Sequence, residues 1–326
     1  MSARLSNYDY DLPRELIPQR PAECRDDSRM MVLHRDKQTI EHRHFRELKT
    51  FLQEGDLLIL NDTQVLPARR FSDDGAVEFL FLERIGPRRW KCLVKPGRKM
   101  RVGATATIDA ATLQVEKITP DGERIVVLSE DVDVYSGGSM PLPPYIQRES
   151  DTEDAVRYQT VFAHKPGALA APTAGLHFTA EILDEIPHTF VTLHVGTGTF
   201  LPVRAENIAE HRMHAERFSI SHSAAARIND AGRIVAVGTT VVRVLVSARR
   251  KDGKLIAQEG STDIFIYPPY RFQNVDVLLT NFHLPRSTLL MLVGAFAGRE
   301  FLLRAYQEAI RERYRFYSYG DCMLIV

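Results

Sequence analysis

The spacing of apolar residues changes character twice along the chain. Ser28-Arg-Met-Met-Val-Leu33 predicts a buried strand, and His44 to Gln53, apolar at Phe45, Leu48, Phe51 and Leu52, predicts an amphipathic helix. Gly55-Asp-Leu-Leu-Ile-Leu-Asn-Asp62 ends that helix and supplies a second buried strand. From residue 64 short alternating runs take over: Ala76 to Leu82, Trp90 to Lys95, Thr105 to Ile108, Thr112 to Ile118 and Arg124 to Leu128. Turn signals at Asp74-Gly75, Lys95-Pro96-Gly97 and Asp121-Gly122 separate them, the pattern of a small all-β module.

After residue 155 strands and helices alternate. Strands are expected at His188 to Val195, Glu216 to Ile220, Arg233 to Gly238, Asp263 to Tyr267 and Val275 to Thr280. Helices are expected at Thr179 to Glu185, Ser223 to Asp230, Thr240 to Arg250, Ser287 to Ala297 and Glu300 to Arg313. The fold class is therefore α/β in two domains. Residues 1–63 and 155–326, from both chain ends, build a sheet domain, and residues 64–154 form an inserted small β-barrel domain.

Composition narrows the function. The 326 residues hold 42 Lys and Arg against 42 Asp and Glu, which argues against a generally basic nucleic-acid coat, and 44% apolar content excludes an acidic disordered chain. Cys24, Cys92 and Cys322 are too few and too widely spaced for a disulfide framework or a thiolate zinc site. Met1 to Asp11 lacks the apolar stretch of a signal peptide, and no run approaches the length of a membrane span, so a cytoplasmic protein is expected. The neutral total conceals sorted charge. Arg84 to Arg101 holds eight basic residues and no acid, whereas Asp121 to Asp154 holds nine acids against Arg124 and Arg148. Arg88, Arg89, Lys91, Arg98 and Lys99 around Trp90, the only tryptophan, fit an RNA backbone track with one stacking ring, although a charge run is more often a solvated face.

Four segments carry polar and small residues at element ends. Asn61-Asp-Thr-Gln-Val-Leu-Pro-Ala-Arg69 follows a buried strand, where open α/β sheets place ligand groups, though Asn and Asp also cap turns there. Ala170-Ala-Pro-Thr-Ala-Gly-Leu-His-Phe-Thr179 lets a backbone approach a ligand and offers Thr173 and His177. His194-Val-Gly-Thr-Gly-Thr-Phe200 lacks the third glycine and the immediate helix of a dinucleotide loop; His211 and His214 beyond it have no further ligand cluster, so no metal is assigned. Gly238-Thr-Thr-Val-Val-Arg243 and Thr280-Asn-Phe-His-Leu-Pro285 both follow buried strands, and Thr240 at a helix entry suits an anionic group or a simple cap.

Read together, these residues resemble the S-adenosylmethionine:tRNA ribosyltransferase-isomerase family of queuosine biosynthesis. The likeness begins at Tyr8-Asp-Tyr-Asp-Leu-Pro-Arg-Glu-Leu-Ile17 and continues through Gly55 to Thr63, Pro67-Ala-Arg69, Pro141-Leu-Pro-Pro-Tyr-Ile146 and Tyr158-Gln-Thr-Val161. It extends over Ala171 to Thr179, His194-Val-Gly196, Gly198-Thr-Phe200, Met213-His214, Thr280 to Pro285 and Ser287 to Val293, ending at Tyr314-Arg-Phe316 and Ser318-Tyr-Gly-Asp321. The resemblance implies an α/β domain with an inserted barrel. It also implies transfer of the ribosyl part of S-adenosylmethionine onto a 7-aminomethyl-7-deazaguanine at the wobble position of tRNA with a GUN-type anticodon. Isomerisation to an epoxycyclopentane releases adenine and methionine, without a metal or prosthetic group, and a monomer is the default. Such chemistry needs a base at the ribose 5′ carbon, whose hydrogens the sulfonium acidifies. His177 and His283, with Asp62 as the acidic alternative, are the expected proton-transfer groups. Asn61, Arg69, Thr173, His194, His214, Thr240, Arg243 and Asn281 are the expected ligand contacts. Val246 stands where such families usually carry Glu, and Pro269 and Cys322 also depart from the pattern. A non-catalytic RNA-binding protein and an enzyme acting on a free nucleoside are the rival readings.

Overall fold

The computed structural model describes residues 4–196, 198, 203 and 205–326. Their packing separates two compact units: Met1–Gln64 with Pro144–Arg148 and Gln159–Val326, and Val65–Pro143 with Glu149–Tyr158.

The first unit is built on a nine-stranded sheet. In chain order its strands are β1 (Arg29–His34), β2 (Thr39–His44), β3 (Asp56–Asn61), β4 (His188–Leu193), β5 (Glu216–Ile220), β6 (Arg233–Val237), β7 (Gln258–Thr262), β8 (Val277–Asn281) and β9 (Cys322–Ile325). Their spatial order is β7-β5-β4-β3-β6-β8-β9-β1-β2. β4, β3, β6 and β8 run parallel; β9 enters antiparallel to β8 and parallel to β1. All six residues of β3 are buried, because strands flank it on both sides and its two faces are covered, which explains its unbroken apolar run. Leu58, Leu60, Val235, Val237, Leu279 and Leu324 share one core with Phe45 and Phe178.

Helices follow the strands where caps direct them. Thr179, Ser221 and Ser287 accept from the backbone N–H three residues on, opening the helices Ala180–Asp184, His222–Asp230 and Thr288–Ala297. Gly298, at φ +88°, breaks between Thr288–Ala297 and Arg299–Arg311 in a conformation that favours glycine. Thr239–Ser247 follows Gly238 directly at the end of β6.

The second unit is a nearly closed antiparallel sheet of six strands, in the order Arg69–Phe71, Glu78–Gly86, Arg89–Lys95, Arg124–Leu128, Ala111–Ile118 and Thr105–Ile108. A backbone bond of 2.9 Å from Asp73 to Thr107 joins its two edges. Phe79, Phe81, Trp90, Leu113, Val115 and Val126 fill its interior.

Four departures from the sequence expectation bear on the large sheet and its core. The helix at His44 to Gln53 is a 3-10 run, Phe45–Phe51, closed by a capping box between His44 and Glu47. β2 was not expected, since none of its residues is fully buried. The strand expected at Asp263 to Tyr267 lies five residues earlier as β7, a polar edge strand defined by its pairing with β5 rather than by apolar content. β9 is too short to stand out beside the preceding Ser-Tyr-Gly-Asp turn, yet all four residues are buried.

Candidate functional site

The sheet polarity gathers the motif residues on one edge. The carboxyl ends of β3, β4, β6 and β8 carry Asn61 to Thr63, His194 to Gly196, Gly238 to Thr240 and Asn281 to His283. The antiparallel β5 and β9, and β1 beside β9, begin at that edge and bring Glu216, Asp321 and Ser28 to it. The loop Thr173–His177 joins them: a Cβ at Gly238 would lie 3.5 Å from Ala174 Cβ.

His177 is buried in a closed network. Its Nδ1 lies 2.8 Å from Ser28 Oγ and its Nε2 3.4 Å from Asn281 Oδ1. Asn281 donates its amide to the Tyr317 carbonyl at 3.0 Å, so Oδ1 faces the ring as an acceptor. Burial drives its pKa down to about 4, against the opposing pull of Asp321. His283 is likewise lowered by burial to about 3, with Nε2 at 2.8 Å from Thr280 Oγ1. Its backbone is pinned from both sides, the carbonyl by Tyr10 Oη and the N–H by Tyr306 Oη.

These two rings predict an acid-sensitive fold. The unfolded chain takes up both protons as pH falls through ~6.5, whereas the native rings resist to about 4 and about 3. Stability is therefore expected to fall from pH 6.5 toward 4, by roughly 3 kcal/mol for His177 and a comparable amount for His283. Urea unfolding at pH 7 and 4.5 measures this. A His283→Gln variant should lose less than the wild type over the same interval, and equal losses refute the assignment.

At β3 and β4 the polar groups divide by task. Asn61 is spent on the backbone: its Nδ2 donates to Leu193 O at 2.9 Å, and its Oδ1 accepts from Leu193 N at 2.9 Å and Thr63 N at 3.2 Å. Asp62 accepts from Thr192 Oγ1 at 2.6 Å through Oδ1, leaving Oδ2 without a partner among the described residues. His194 is half-buried, with Nδ1 at 2.9 Å from Thr63 Oγ1 and Nε2 unshared among the described residues. Burial, with help from Arg217 and Lys165, lowers its pKa. Its ring rests on Gly167, where a Cβ would come within 2.7 Å of Nδ1.

Arg243 is 2% exposed and ion-paired through Nη1 with Oε2 of Glu216, whose other oxygen accepts from Gly196 N at 2.9 Å. Thr240 is buried near the start of the same helix, and half-buried Val246 lies three residues past Arg243. Thr173 opens the 3-10 turn and is half-buried. His214 is exposed on a loop rather than a helix, against Gly198; Thr197, Thr199 and Phe200 of the adjoining motif lie outside the described residues. Among the described residues no three His, Cys, Asp or Glu side chains come together as metal ligands. No helix is long and apolar enough to cross a membrane.

In the second unit, Arg69 pairs with Glu78 at 3.1 Å and donates to the Leu142 carbonyl. Trp90 corrects the sequence expectation. It is 4% exposed, edge-on to Phe81 and Tyr135, so it is a core ring and offers no face to a base. The basic run is also partly neutralised by acids across the sheet: Arg84 meets Asp131, Arg89 meets Glu116, and Lys91 lies near Glu83 and Glu123. Arg88 donates to the Ser129 carbonyl, while Arg98 and Lys99 are exposed, with Lys99 in electrostatic reach of Asp74.

Sequence reasoning missed Ser28, Glu216 and Asp321 as members of the polar edge. Asp321 left a signal, a single acid between Ser-Tyr-Gly and an apolar run.

Comparison with known proteins places this arrangement. A family model described as queuosine biosynthesis protein matches residues 5–325. The S-adenosylmethionine:tRNA ribosyltransferase-isomerase of Symbiobacterium thermophilum is 50% identical over an alignment spanning 99% of this chain and 100% of the relative. The protein of that name from Thermotoga maritima is 48% identical with the same coverage. A crystal structure of S-adenosylmethionine tRNA ribosyltransferase from Thermotoga maritima aligns with a TM-score of 0.57 at 40% identity, covering 98% of this chain and 100% of that one.

Proposed function

The chain belongs to the queuosine biosynthesis protein family, and from that premise we propose that it is an S-adenosylmethionine:tRNA ribosyltransferase-isomerase. It moves the ribosyl moiety of S-adenosylmethionine onto the aminomethyl group of a 7-deazaguanine at the tRNA wobble position, giving an epoxycyclopentane with loss of adenine and methionine. The observation that carries this reading is the convergence of motif residues from Ser28 to Asp321 on one edge of one sheet. Ligands of open α/β sheets bind at the carboxyl ends of strands.

Within that reading Asp62 is the better base at the ribose 5′ carbon, because one carboxylate oxygen stays open, and His194 stands beside it with Nε2 open. His177, with both nitrogens engaged and a depressed pKa, holds the ends of β1 and β8 in place, and His283 supports the same turn. The substrate is tRNA with a GUN-type anticodon, the enzyme is a cytoplasmic monomer, and no prosthetic group is required. The six-stranded unit is read as an inserted domain, and its exposed Arg98 and Lys99 suit RNA phosphates.

Incubation with S-adenosylmethionine and tRNA bearing the 7-aminomethyl-7-deazaguanine, followed by assay of free adenine and methionine, tests the proposal. Release that depends on tRNA is the expected result. Release with the free nucleoside alone points to a nucleoside enzyme, and tRNA binding without release points to a non-catalytic RNA-binding protein.

A further inference from the structure

We propose that Thr240 and Arg243, with Glu216 behind them, form a receptor for a carboxylate, and that its occupant is the carboxylate on the amino-acid arm of S-adenosylmethionine. The inference rests on the functional reading above.

Three buried polar atoms here lack a partner among the described residues. Arg243 gives Nη1 to Glu216, but its Nε and Nη2 are buried and meet no acceptor among the described residues. Thr240 Oγ1, three positions earlier and so on the same helical face, is also buried and unpaired among the described residues. A guanidinium withdrawn from water with two open N–H groups is costly unless an anion completes it. The open edge is the two-pronged one. Elsewhere in this chain the same Nε and Nη2 pair grips a carboxylate: Arg233 holds Asp56 at 2.7 and 2.7 Å, and Arg89 holds Glu116 at 3.0 and 2.7 Å. Arg315 grips Asp321 in the same way at 3.2 and 2.9 Å.

Placement points to the substrate. Thr239–Ser247 begins at the carboxyl end of β6, so its free N–H groups and positive dipole end share the edge with Asp62 and His194. Glu216 is a positioning residue. Its Oε2 orients the guanidinium, and its Oε1 takes the Gly196 N–H, tying the receptor to the turn that follows His194. The open edge is shielded from solvent, so the carboxylate enters as its cover moves aside. A phosphate would satisfy the same two donors, and the test separates the two sources.

Isothermal titration of the wild type with S-adenosylmethionine and with its decarboxylated analogue measures the preference for the carboxylate, expected at ~100-fold. Thr240→Val, which removes only an unpartnered hydroxyl, should reduce that preference several-fold without changing affinity for the analogue. Arg243→Gln should abolish it, and Glu216→Gln should weaken it in the same selective manner. Full preference in both the Thr240 and Arg243 variants overturns the receptor. So does a loss confined to tRNA affinity, which would assign the edge to phosphate. Thr240→Val keeps the outcome decisive if Arg243→Gln does not fold. A wild type that binds neither compound, with or without tRNA present, overturns the functional reading and the receptor together.

Discussion

Asp321→Ala is expected to destabilise the protein by about 3–5 kcal/mol and to remove activity with it. Asp321 is 1% exposed and receives four donors: Arg29 N at 3.0 Å, Arg315 N at 2.8 Å, and Arg315 Nε and Nη2 at 3.2 and 2.9 Å. Removing the carboxylate strands two backbone N–H groups and leaves a partly buried guanidinium without its anion, which is the costly way to break such a pair. The same carboxylate fixes where β9 starts beside β1, and that start positions Ser28 and Asn281 around His177. Asp321→Asn retains an acceptor but loses the charge, so it should fall between wild type and alanine. Equilibrium urea unfolding of the three proteins at pH 7 is the measurement. A loss below about 1 kcal/mol for the alanine variant would mean the network is held by other contacts.

Gly167→Ala is expected to separate activity from stability. A Cβ at position 167 would stand 2.7, 2.8 and 2.9 Å from Nδ1, Cε1 and Cγ of His194, so the imidazole has to rotate or withdraw. The backbone also sits at φ +150°, where an L side chain is strained. Withdrawal breaks the 2.9 Å bond to Thr63 and moves Nε2 away from the edge it shares with Asp62. Misplacing a reacting or orienting group by about 1 Å costs on the order of 100-fold in rate. The strand holding Gly167 is only four residues long, Lys165–Ala168, so the fold should lose no more than about 1–2 kcal/mol. Single-turnover adenine release at saturating S-adenosylmethionine and tRNA, read beside thermal melting, tests both halves. A rate within threefold of wild type (~0.7 kcal/mol) would show that His194 needs no fixed orientation.

What the sequence made legible follows from burial. β3, β6 and β8 are shielded on both faces, and their apolar runs announce them. Edge strands β2 and β7 owe their existence to backbone pairing with a neighbour, which leaves no apolar period to read. The candidate site was legible as motif positions but not as roles. Asn61 and Asp62 are adjacent in sequence, yet one is consumed by the backbone of β4 while the other keeps an oxygen free. That division depends on a strand 130 residues away. Glu216 was visible only as the first residue of an expected strand; its partner Arg243 comes from another element. The basic run misled for a similar reason. Its acids lie on strands and loops that meet it across the sheet, so linear sorting of charge became pairing in space. Trp90 occupies an inward position of an alternating strand, where side-chain period outweighs any affinity of the indole for a base.

The position of β9 has a consequence for biosynthesis. Met30 in β1 pairs with Cys322 in β9, and Leu278 in β8 pairs with Ile325, so β9 bridges the β8 and β1 sides of the sheet. A ribosome lays down β1 early and β9 after the other eight strands. Until β9 arrives, β1 from early in synthesis and β8 from its own completion each present an unpaired, apolar edge of the kind that recruits foreign strands. Closure of the sheet is thus a late and strongly non-local event. Overproduced protein is expected to be vulnerable to aggregation while nascent, in a way that its finished stability would not reveal.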